Sequence, residues 1–535
     1  MPGPERERRL ARRRVLQAFG GGVAAWSAGQ VLGEPSWNVI RSRKALAQAG
    51  PDVYVVTLDD CSPEYLGYYQ SVVPTAYQGP IHTPELDALF ADSWTASSAR
   101  ATVAVCNASR PAFLTGADST RTGIFGGETF LDPAPVNAFF AKVTSGQLVS
   151  LPGFLTAQGL DTATRGKVDH TGGLFNIAGQ IVHKGTYTSI AAMLNDPAYA
   201  PQGAYGVDFS YMPYAALPMG VPHVDELRVD EQIARINSPY TGQRVDFLGL
   251  AMPHVPRTVH QSWIDLYDLA DIDLRTTAAE ITADQADIPA RHLGLLEAPY
   301  LLGLPRAQWM QNNITEDGLK QHIRHMLATL SHTSFHLGRL RDALDTAGRP
   351  YVIVLTADHG YHLGEKGHYA KGTLYDKSLL TPLSVYCSDA NPAYPVGNTT
   401  KPISLLGLAK TVAQLAGISD GAIPGLWAGN RFDDASNYCT EHTWGIDAAT
   451  QSRALVFRAQ ATQTTFKLVV HPGDASELYD LTADPAETDN LFVANSPEAG
   501  AQLAEVDGEL RQRARRQRAR EWLARGGRPT QDPYQ

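Results

Sequence analysis

Cysteine and long apolar runs are both scarce in this chain. Among 535 residues only four are cysteine, at positions 61, 106, 387 and 439, too few for a fold held together by disulfides. Beyond residue 49, no stretch has the roughly 20 consecutive apolar residues that a membrane-spanning helix requires. The composition therefore predicts a mature protein without a membrane span. Cys387 and Cys439 either form a disulfide or remain free thiols, and their spacing leaves both alternatives open.

Basic side chains are also under-represented. The chain holds 45 Lys and Arg against 55 Asp and Glu, which gives a formal net charge of −10. Residues 1–49 contain nine of these basic and three of these acidic residues, so the remainder carries 36 against 52, a net charge of −16. Such a field repels nucleic acid and long sulfated polysaccharides. We therefore expect no nucleic-acid partner, and a local basic site that favours small anionic substrates.

The first 49 residues differ from the rest in composition. An arginine cluster, with Arg12 and Arg13 ahead of Val15 and Leu16, precedes a weakly apolar run rich in Gly and Ala. The sequence "ALAQA", ending at residue 49, supplies the small residues of a cleavage site. This pattern is typical of a twin-arginine signal peptide and predicts a periplasmic or secreted protein. The alternative is a disordered basic arm.

Strands are predicted at residues 53–58, 245–250 and 351–355, and the apolar runs of the first and third are typical of strands buried on both faces of a central sheet. The length of the chain allows one large α/β core to enclose such a sheet. A helix is predicted from the apolar spacing of residues 321–344. Its histidines, at positions 322, 325, 332 and 336, include pairs with metal-ligand spacing. Because no third or fourth ligand is near them in the sequence, we interpret them as exposed or capping side chains.

Acidic pairs follow two of the predicted strands. Asp59 and Asp60 come directly after the first strand, and Asp358 and His359 follow the third. Ligands gather outside the carboxyl ends of strands in such sheets. Adjacent buried carboxylates repel each other unless a cation lies between them. These residues therefore predict a divalent ion with oxygen ligands.

The segment "CNASRPAFLTG" at residues 106–116 brings a thiol and a guanidinium together. Arg110 follows Cys106 by four residues, and Pro111 lies where a helix would have its first turn. Small and polar residues surround both groups, so the segment predicts an anion site that contains a reactive atom. The alternative is a buried structural cysteine at the start of a helix.

Four further basic side chains lie in short polar segments. Lys167 and His170 are in "GKVDH", His254 is in "MPHVP", and Lys371 is in "YAKGTLYD". A lysine favours the anionic form of a neighbouring nucleophile, and a histidine transfers protons near neutral pH. The prolines around His254 hold the backbone extended. Taken alone, a surface turn at Lys167 and a structural histidine at 254 are the alternatives.

Together these segments resemble the type I sulfatases of the alkaline phosphatase superfamily. The 106–116 segment is similar to the family signature C-x-[PA]-S-R followed by x-x-x-[LM]-T-G, and the remaining segments follow in the family's order across residues 50–495. The details look most similar to the iduronate 2-sulfatase-like branch. This resemblance implies an α/β fold: an alkaline-phosphatase-like α/β/α sandwich with a large mixed central sheet. We expect the catalytic domain at 50–430 and a smaller C-terminal α+β subdomain, with an antiparallel sheet and a terminal helix, at 431–535.

The resemblance also implies the chemistry. In the family, a formylglycine-generating enzyme oxidises the signature cysteine to formylglycine, whose hydrated aldehyde is the nucleophile. The implied metal is Ca²⁺, with Mg²⁺ as the alternative, held by Asp59, Asp60, modified Cys106, Asp358 and His359. The residues implied to contact the nucleophile or the sulfate ester are Arg110, Lys167, His170, His254 and Lys371. Of these, His254 or Lys371 would protonate the leaving oxygen, and His170 would take a proton from the hydrated aldehyde.

Two other functions remain open at this point. A phosphonate monoester or phosphodiester hydrolase of the same superfamily would use the same nucleophile and metal. In a non-catalytic exported protein, Cys106 would stay a thiol and the site would only capture anions. The sequence identifies neither the alcohol part of the substrate nor the oligomeric state.

Overall fold

The computed structural model describes residues 50–126, 134–169, 182–183, 214–276, 316–435, 439–444, 451–459, 462–471 and 474–493. The predicted leader at 1–49, His170 and the predicted terminal helix lie outside these residues.

A mixed eight-stranded sheet forms the centre of the structure. In chain order its strands are β1 (Asp52–Leu58), β2 (Trp94–Ala96), β3 (Asp161–Gly166), β4 (Val182–His183), β5 (Arg244–Gly249), β6 (Tyr351–Ala357), β7 (Leu383–Cys387) and β8 (Gly397–Thr399). Their spatial order is β8-β2-β7-β6-β1-β5-β3-β4. Strand β7 is antiparallel to both of its neighbours, whereas β6, β1, β5, β3 and β4 run parallel. The three predicted strands are confirmed as β1, β5 and β6.

Helices cover both faces of this sheet. They are α1 (Pro84–Ala91), α2 (Cys106–Thr115), α3 (Ser119–Thr122), α4 (Ala134–Thr144), α5 (Leu151–Ala157), α6 (Val224–Asn237), α7 (Gln261–Ile264), α8 (Glu316–Ala347), α9 (Asp376–Leu379) and α10 (Leu408–Leu415). Alternate residues of β1 point into two separate cores, with Val53 and Val55 in one and Tyr54 and Val56 in the other. Helices α2, α4, α5 and α10 pack in the first core, and α1, α6 and α8 in the second. This arrangement is the expected α/β/α sandwich.

The histidines of α8 are buried, so their interpretation as exposed or capping side chains is wrong. Their exposed fractions are 0% for His322, 6% for His325, 1% for His332 and 4% for His336. Helix α8 packs against α1 and α6, so that polar positions of its sequence are also covered. Sequence periodicity shows the apolar face of a helix but not what packs on its other faces.

A second, antiparallel sheet follows in the C-terminal part. Its strands are β9 (Cys439–Trp444), β10 (Ser452–Arg458), β11 (Thr465–Val470) and β12 (Glu477–Asp480), paired in chain order. Lys467 of β11 is fully buried and contacts Asp376 at 2.5 Å and Glu487 at 2.7 Å. The antiparallel strands are as predicted. The domain boundary near residue 430 stays a prediction.

The structure bears on the predicted lack of a membrane span and on the possible disulfide. Among the described helices, none is both long enough and apolar enough to cross a membrane. Cys387 carries a free thiol, half-buried at the end of β7, so the alternative of free thiols holds for this residue.

Ser334 connects α8 to the first turn of α1. Its Oγ accepts hydrogen bonds from the backbone N–H groups of Glu85 and Leu86, each at 3.1 Å. The first N–H groups of a helix have no partner within the helix, and a hydroxyl from another element satisfies them here. The serine is therefore a tertiary cap that fixes α1 on α8.

We predict that Ser334→Ala lowers the melting temperature by about 1–3 °C, because it leaves buried N–H groups without an acceptor at a cost of about 1–2 kcal/mol. Thr346→Ala is the matched control, since its hydroxyl lies on the exposed end of α8 and bonds only to the Asp342 carbonyl. Thermal unfolding followed by circular dichroism measures both. Equal melting temperatures for the two variants would contradict the capping role.

Candidate active site

Parallel pairing of β1 and β6 brings the two acidic segments side by side. The strands pair in register from Asp52 to Leu58, which lies opposite Ala357, so the next residues of both strands emerge at the same edge. Asp60 turns the chain with a positive φ of 62°, and its N–H donates to Asp358 Oδ1 at 3.1 Å. The convergence predicted from the strand ends is therefore present in the structure.

Cys106 is the first residue of α2, a helix in which every residue is buried. Its thiol belongs to a group with Asp59, Asp358 and His359 in which one ligand atom of each lies within 4.8 Å of the others. The Ser109 hydroxyl donates to the Asp358 carbonyl at 2.6 Å and so ties the helix to the end of β6. The nucleophile candidate and the acidic pairs thus form one site.

Arg110 is fully buried next to these residues. Its Nε donates to Asp358 Oδ2 at 2.9 Å, and its Nη2 lies 3.4 Å from Asp59 Oδ1. Its Nη1 donates to the backbone carbonyl of Lys167. Burial alone would lower the pKa of Arg110, but the two carboxylates raise it above its ordinary value. The guanidinium is a permanent cation that holds three segments together.

Two lysines pair with the carboxylates of Asp59 and Asp60. The Lys167 ammonium group contacts the carboxylate of Asp59, and the Lys371 ammonium group contacts that of Asp60. Although burial would raise the pKa of Asp59, Lys167 and the other cations hold it well below its usual range. Burial raises the pKa of Asp358 to about 6, still below neutral pH. At pH 7 three ionised carboxylates therefore face three cations.

Two histidines present one ring nitrogen each to the carboxylates. His359 Nδ1 pairs with the Gly360 carbonyl at 2.8 Å, which places the proton on Nδ1 and leaves Nε2 3.4 Å from Asp60 Oδ1. His254 Nδ1 pairs likewise with the Val255 carbonyl, and its Nε2 lies 3.7 Å from Asp60 Oδ2. Burial lowers the pKa of His254 to about 4, so its ring is neutral at pH 7.

Three atoms of this cluster are suited to a metal ion. Asp59 Oδ1, Asp60 Oδ2 and His359 Nε2 are buried and have no hydrogen-bond partner within the described part of the chain. Buried polar atoms are normally satisfied, so a set of orphaned acceptors on converging ligands fits a cation. Carboxylates make up most of this set, and calcium and magnesium prefer oxygen ligands.

Among the described residues of the site, the side chains differ in how far they are exposed. The side chains of Asp59, Asp60, Asp358, Arg110 and Lys167 are at most 4% exposed. In contrast, His254 is 13% and Lys371 18% exposed. His254 and Lys371 are therefore the more exposed members of the described cluster.

Every predicted site residue that the structure describes lies in this cluster, and His170 is outside the described residues. Sequence analysis missed Asp225, at the start of α6. Its carboxylate accepts the N–H groups of Ala251 and Met252 at 2.8–3.0 Å, in the segment that leads to His254. An acidic residue in the first turn of a helix was the only local sign, and that sign is common.

This chain is similar to known proteins over most of its length. The sequence model of the family described as "Sulfatase" matches residues 51–418. A sulfatase of Formosa agariphila is 28% identical over 382 residues, which cover 69% of this chain and 69% of that protein. Mouse iduronate 2-sulfatase is 25% identical over 368 residues, which cover 63% of this chain and 59% of that protein.

Solved structures share the fold. The phosphonate monoester hydrolase of Agrobacterium radiobacter superposes with a TM-score of 0.62 at 16% identity, covering 87% of this chain and 95% of that one. A 2-O GAG sulfatase superposes with a TM-score of 0.60 at 17% identity, covering 90% and 95%. At this identity the two structures establish the alkaline-phosphatase-like fold alone. The family match, by contrast, runs from β1 to α10 and includes every site residue described above, so the chain belongs to the Sulfatase family and is a sulfuric ester hydrolase.

Proposed function

We propose that this enzyme hydrolyses the sulfate ester of a small or carbohydrate-type alcohol through a formylglycine made from Cys106, assisted by a calcium ion. The observation that carries the proposal is the position of Cys106, at the start of α2 and within 4.8 Å of the ligand atoms of Asp59, Asp358 and His359. A thiol in this place lies next to buried carboxylates that are themselves paired with Arg110 and Lys167. A structural cysteine needs neither.

The cation would be held by Asp59, Asp60, Asp358 and His359, with Mg²⁺ as the alternative to Ca²⁺. When bound, the ion supplies Lewis-acid neutralisation of sulfate oxygens, and the hydrated aldehyde supplies an oxygen nucleophile for sulfur. The orphaned acceptors of these side chains support this assignment. Net hydrolysis adds one water across the sulfur–oxygen bond and releases sulfate and the alcohol.

Arg110 and Lys167 orient the anionic groups. Arg110 fixes the carboxylates of Asp59 and Asp358 and the carbonyl of Lys167, so its loss would release three segments at once. Both cations are nearly free of solvent, and in such surroundings fixed charges stabilise developing negative charge more strongly than in water. They need no reorganisation during the reaction.

Lys371 and His254 are the more exposed members of the described cluster, and the leaving alcohol would depart beside them. The Lys371 amine is protonated. Burial alone would lower its pKa, but the carboxylate of Asp60 raises the pKa above the ordinary value. Neutral His254 holds its proton on Nδ1, toward the Val255 carbonyl. Lys371 is therefore the better placed proton donor for the leaving oxygen, and the unprotonated Nε2 of His254 faces the carboxylate of Asp60.

We also propose export through the twin-arginine pathway, which carries folded proteins. This route allows the formylglycine-generating enzyme to act on Cys106 before the chain leaves the cytoplasm. The arginine pair in the first 49 residues supports the proposal.

Mass spectrometry of the peptide that contains residue 106 tests the nucleophile. In protein from the native host we expect a mass in which one oxygen replaces the sulfur and two hydrogens are lost. Cys106→Ala should lower the rate of sulfate ester hydrolysis by at least about 10³-fold, since it removes the nucleophile. Cys387→Ala is the control and should retain activity. An unmodified thiol in active native protein would refute the mechanism.

Chelation tests the metal. Treatment with a chelator should abolish hydrolysis, and Ca²⁺ should restore it. Asp60→Asn should lose activity together with the rise in melting temperature that Ca²⁺ gives the wild type, because one charged ligand is gone. Asp92→Asn, an exposed carboxylate with 56% side-chain exposure, should behave as wild type. Full activity after complete metal removal would contradict the proposal.

Leaving-group dependence tests Lys371. The phenolate of an activated aryl sulfate is stable enough to leave without a proton. The alkoxide of an alkyl sulfate must be protonated as it leaves. Lys371→Ala should therefore lower kcat by about 10²–10⁴-fold on an alkyl sulfate and far less on 4-nitrophenyl sulfate. The exposed Lys401→Ala is the control. Equal losses on both esters would assign Lys371 to binding, and faster hydrolysis of phosphonate than of sulfate esters would favour the alternative hydrolase.

A further inference from the structure

A second group of metal-ligating side chains lies where α6 meets α8. His332 and His336 are one helical turn apart on α8, and Glu226 is in the first turn of α6. One ligand atom from each of the three lies within 4.8 Å of the others. The active-site cluster uses none of these residues.

His332 is the most unusual member of this group. It is 1% exposed, and neither of its ring nitrogens has a hydrogen-bond partner in the part of the chain that the structure describes. A neutral imidazole has one donor and one acceptor, and leaving both unsatisfied in the interior is costly. The rings of His223 and His336 lie on it with centroid distances of 4.3 Å. A buried polar ring in such surroundings indicates a missing partner.

The other two ligands are held by contacts that a metal ion can replace. His336 Nδ1 accepts from Arg339 Nη1 at 2.9 Å, but Arg339 also pairs with Asp230 at 2.6 Å and is 36% exposed. Release of the ring therefore leaves the arginine with its carboxylate partner. Glu226 accepts a long hydrogen bond of 3.4 Å from the His223 N–H at the helix start.

We propose that Glu226, His332 and His336 form a zinc site distinct from the catalytic metal site. Two imidazoles spaced i, i+4 on one helix face, joined by a carboxylate, make a nitrogen-rich set of three ligands that zinc binds and calcium does not favour. Zinc–ligand bonds of about 2.0–2.1 Å place tetrahedral ligands roughly 3.3 Å apart, and the three ligand atoms already lie within 4.8 Å of one another. The fourth position is left for water.

His223 packs against this site without serving as a ligand. Its Nδ1 accepts the Asp225 N–H at 3.0 Å, so its Nε2 carries the proton. Burial and the neighbouring imidazoles hold the pKa of His332 well below its ordinary value, and the neutral ring is the form that binds metal.

The position of this site suggests what zinc does for the enzyme. Asp225, next to Glu226, accepts the N–H groups of Ala251 and Met252, two residues ahead of the segment that carries His254. A metal that joins α6 to α8 therefore also fixes the support of that segment. Its role is structural.

Cobalt(II) is the probe for this site, used with full-length protein kept in excess Ca²⁺ to saturate the oxygen-rich cluster. Wild type and Asp60→Asn should bind one equivalent of Co²⁺ with the visible absorption of a four-coordinate nitrogen-ligated site, and Zn²⁺ should displace it. His332→Gln should lose the absorption, and Glu226→Gln should weaken binding at least about tenfold. His325→Gln, another buried histidine of α8, is the matched control and should bind as wild type.

Two results would overturn the proposal: no absorption in the wild type, or absorption that His332→Gln and Glu226→Gln leave unchanged. As a second measurement, Zn²⁺ added to the Ca²⁺-loaded protein should raise the melting temperature of wild type but not of Glu226→Gln. Glu226 is half-buried and the substitution keeps its shape, so this variant serves if His332→Gln fails to fold. Neither measurement needs turnover, so the result is independent of the sulfatase mechanism.

Discussion

The active site depends on a balance of buried charge at the ends of two adjacent strands. Asp59, Asp60 and Asp358 are almost completely removed from solvent, where an unpaired carboxylate would be strongly disfavoured. Arg110, Lys167 and Lys371 contact them and keep them ionised. Removal of any one cation would leave a buried negative charge uncompensated. The same cluster contains Cys106, whose thiol lies within 4.8 Å of ligand atoms of Asp59, Asp358 and His359.

The sheet makes this balance possible. Parallel, in-register pairing of β1 and β6 places both acidic segments at one edge, and α2 then lies over that edge with Cys106 at its start. Because Ser109 and Arg110 both contact Asp358, the helix and the strand end are held as one unit. Among the described residues of the site, His254 and Lys371 are the most exposed.

Two different donor sets occur in the structure. The oxygen-rich set at the ends of β1 and β6 suits calcium, whereas the nitrogen-rich set between α6 and α8 suits zinc. Asp225, the neighbour of Glu226, accepts a hydrogen bond from the N–H of Met252, which precedes His254 by two residues. A structural metal between α6 and α8 would support the segment that carries His254 without taking part in the reaction.

The sequence by itself determined the parts of this protein that depend on local pattern. Continuous β-branched runs are typical of doubly buried strands, so β1 and β6 could be predicted, together with the acidic residues at their ends. The short segments around Cys106, Lys167, His254 and Lys371 pointed to one site because the chain resembles a known family. Only the tertiary structure decided which side chains meet. The α8 histidines were interpreted wrongly because helical periodicity does not show that Glu226 of α6 packs beside them. Asp225 was missed because its partners include backbone N–H groups of the segment that follows β5. Contacts between elements far apart in the chain depend on how the layers pack, which no local pattern records.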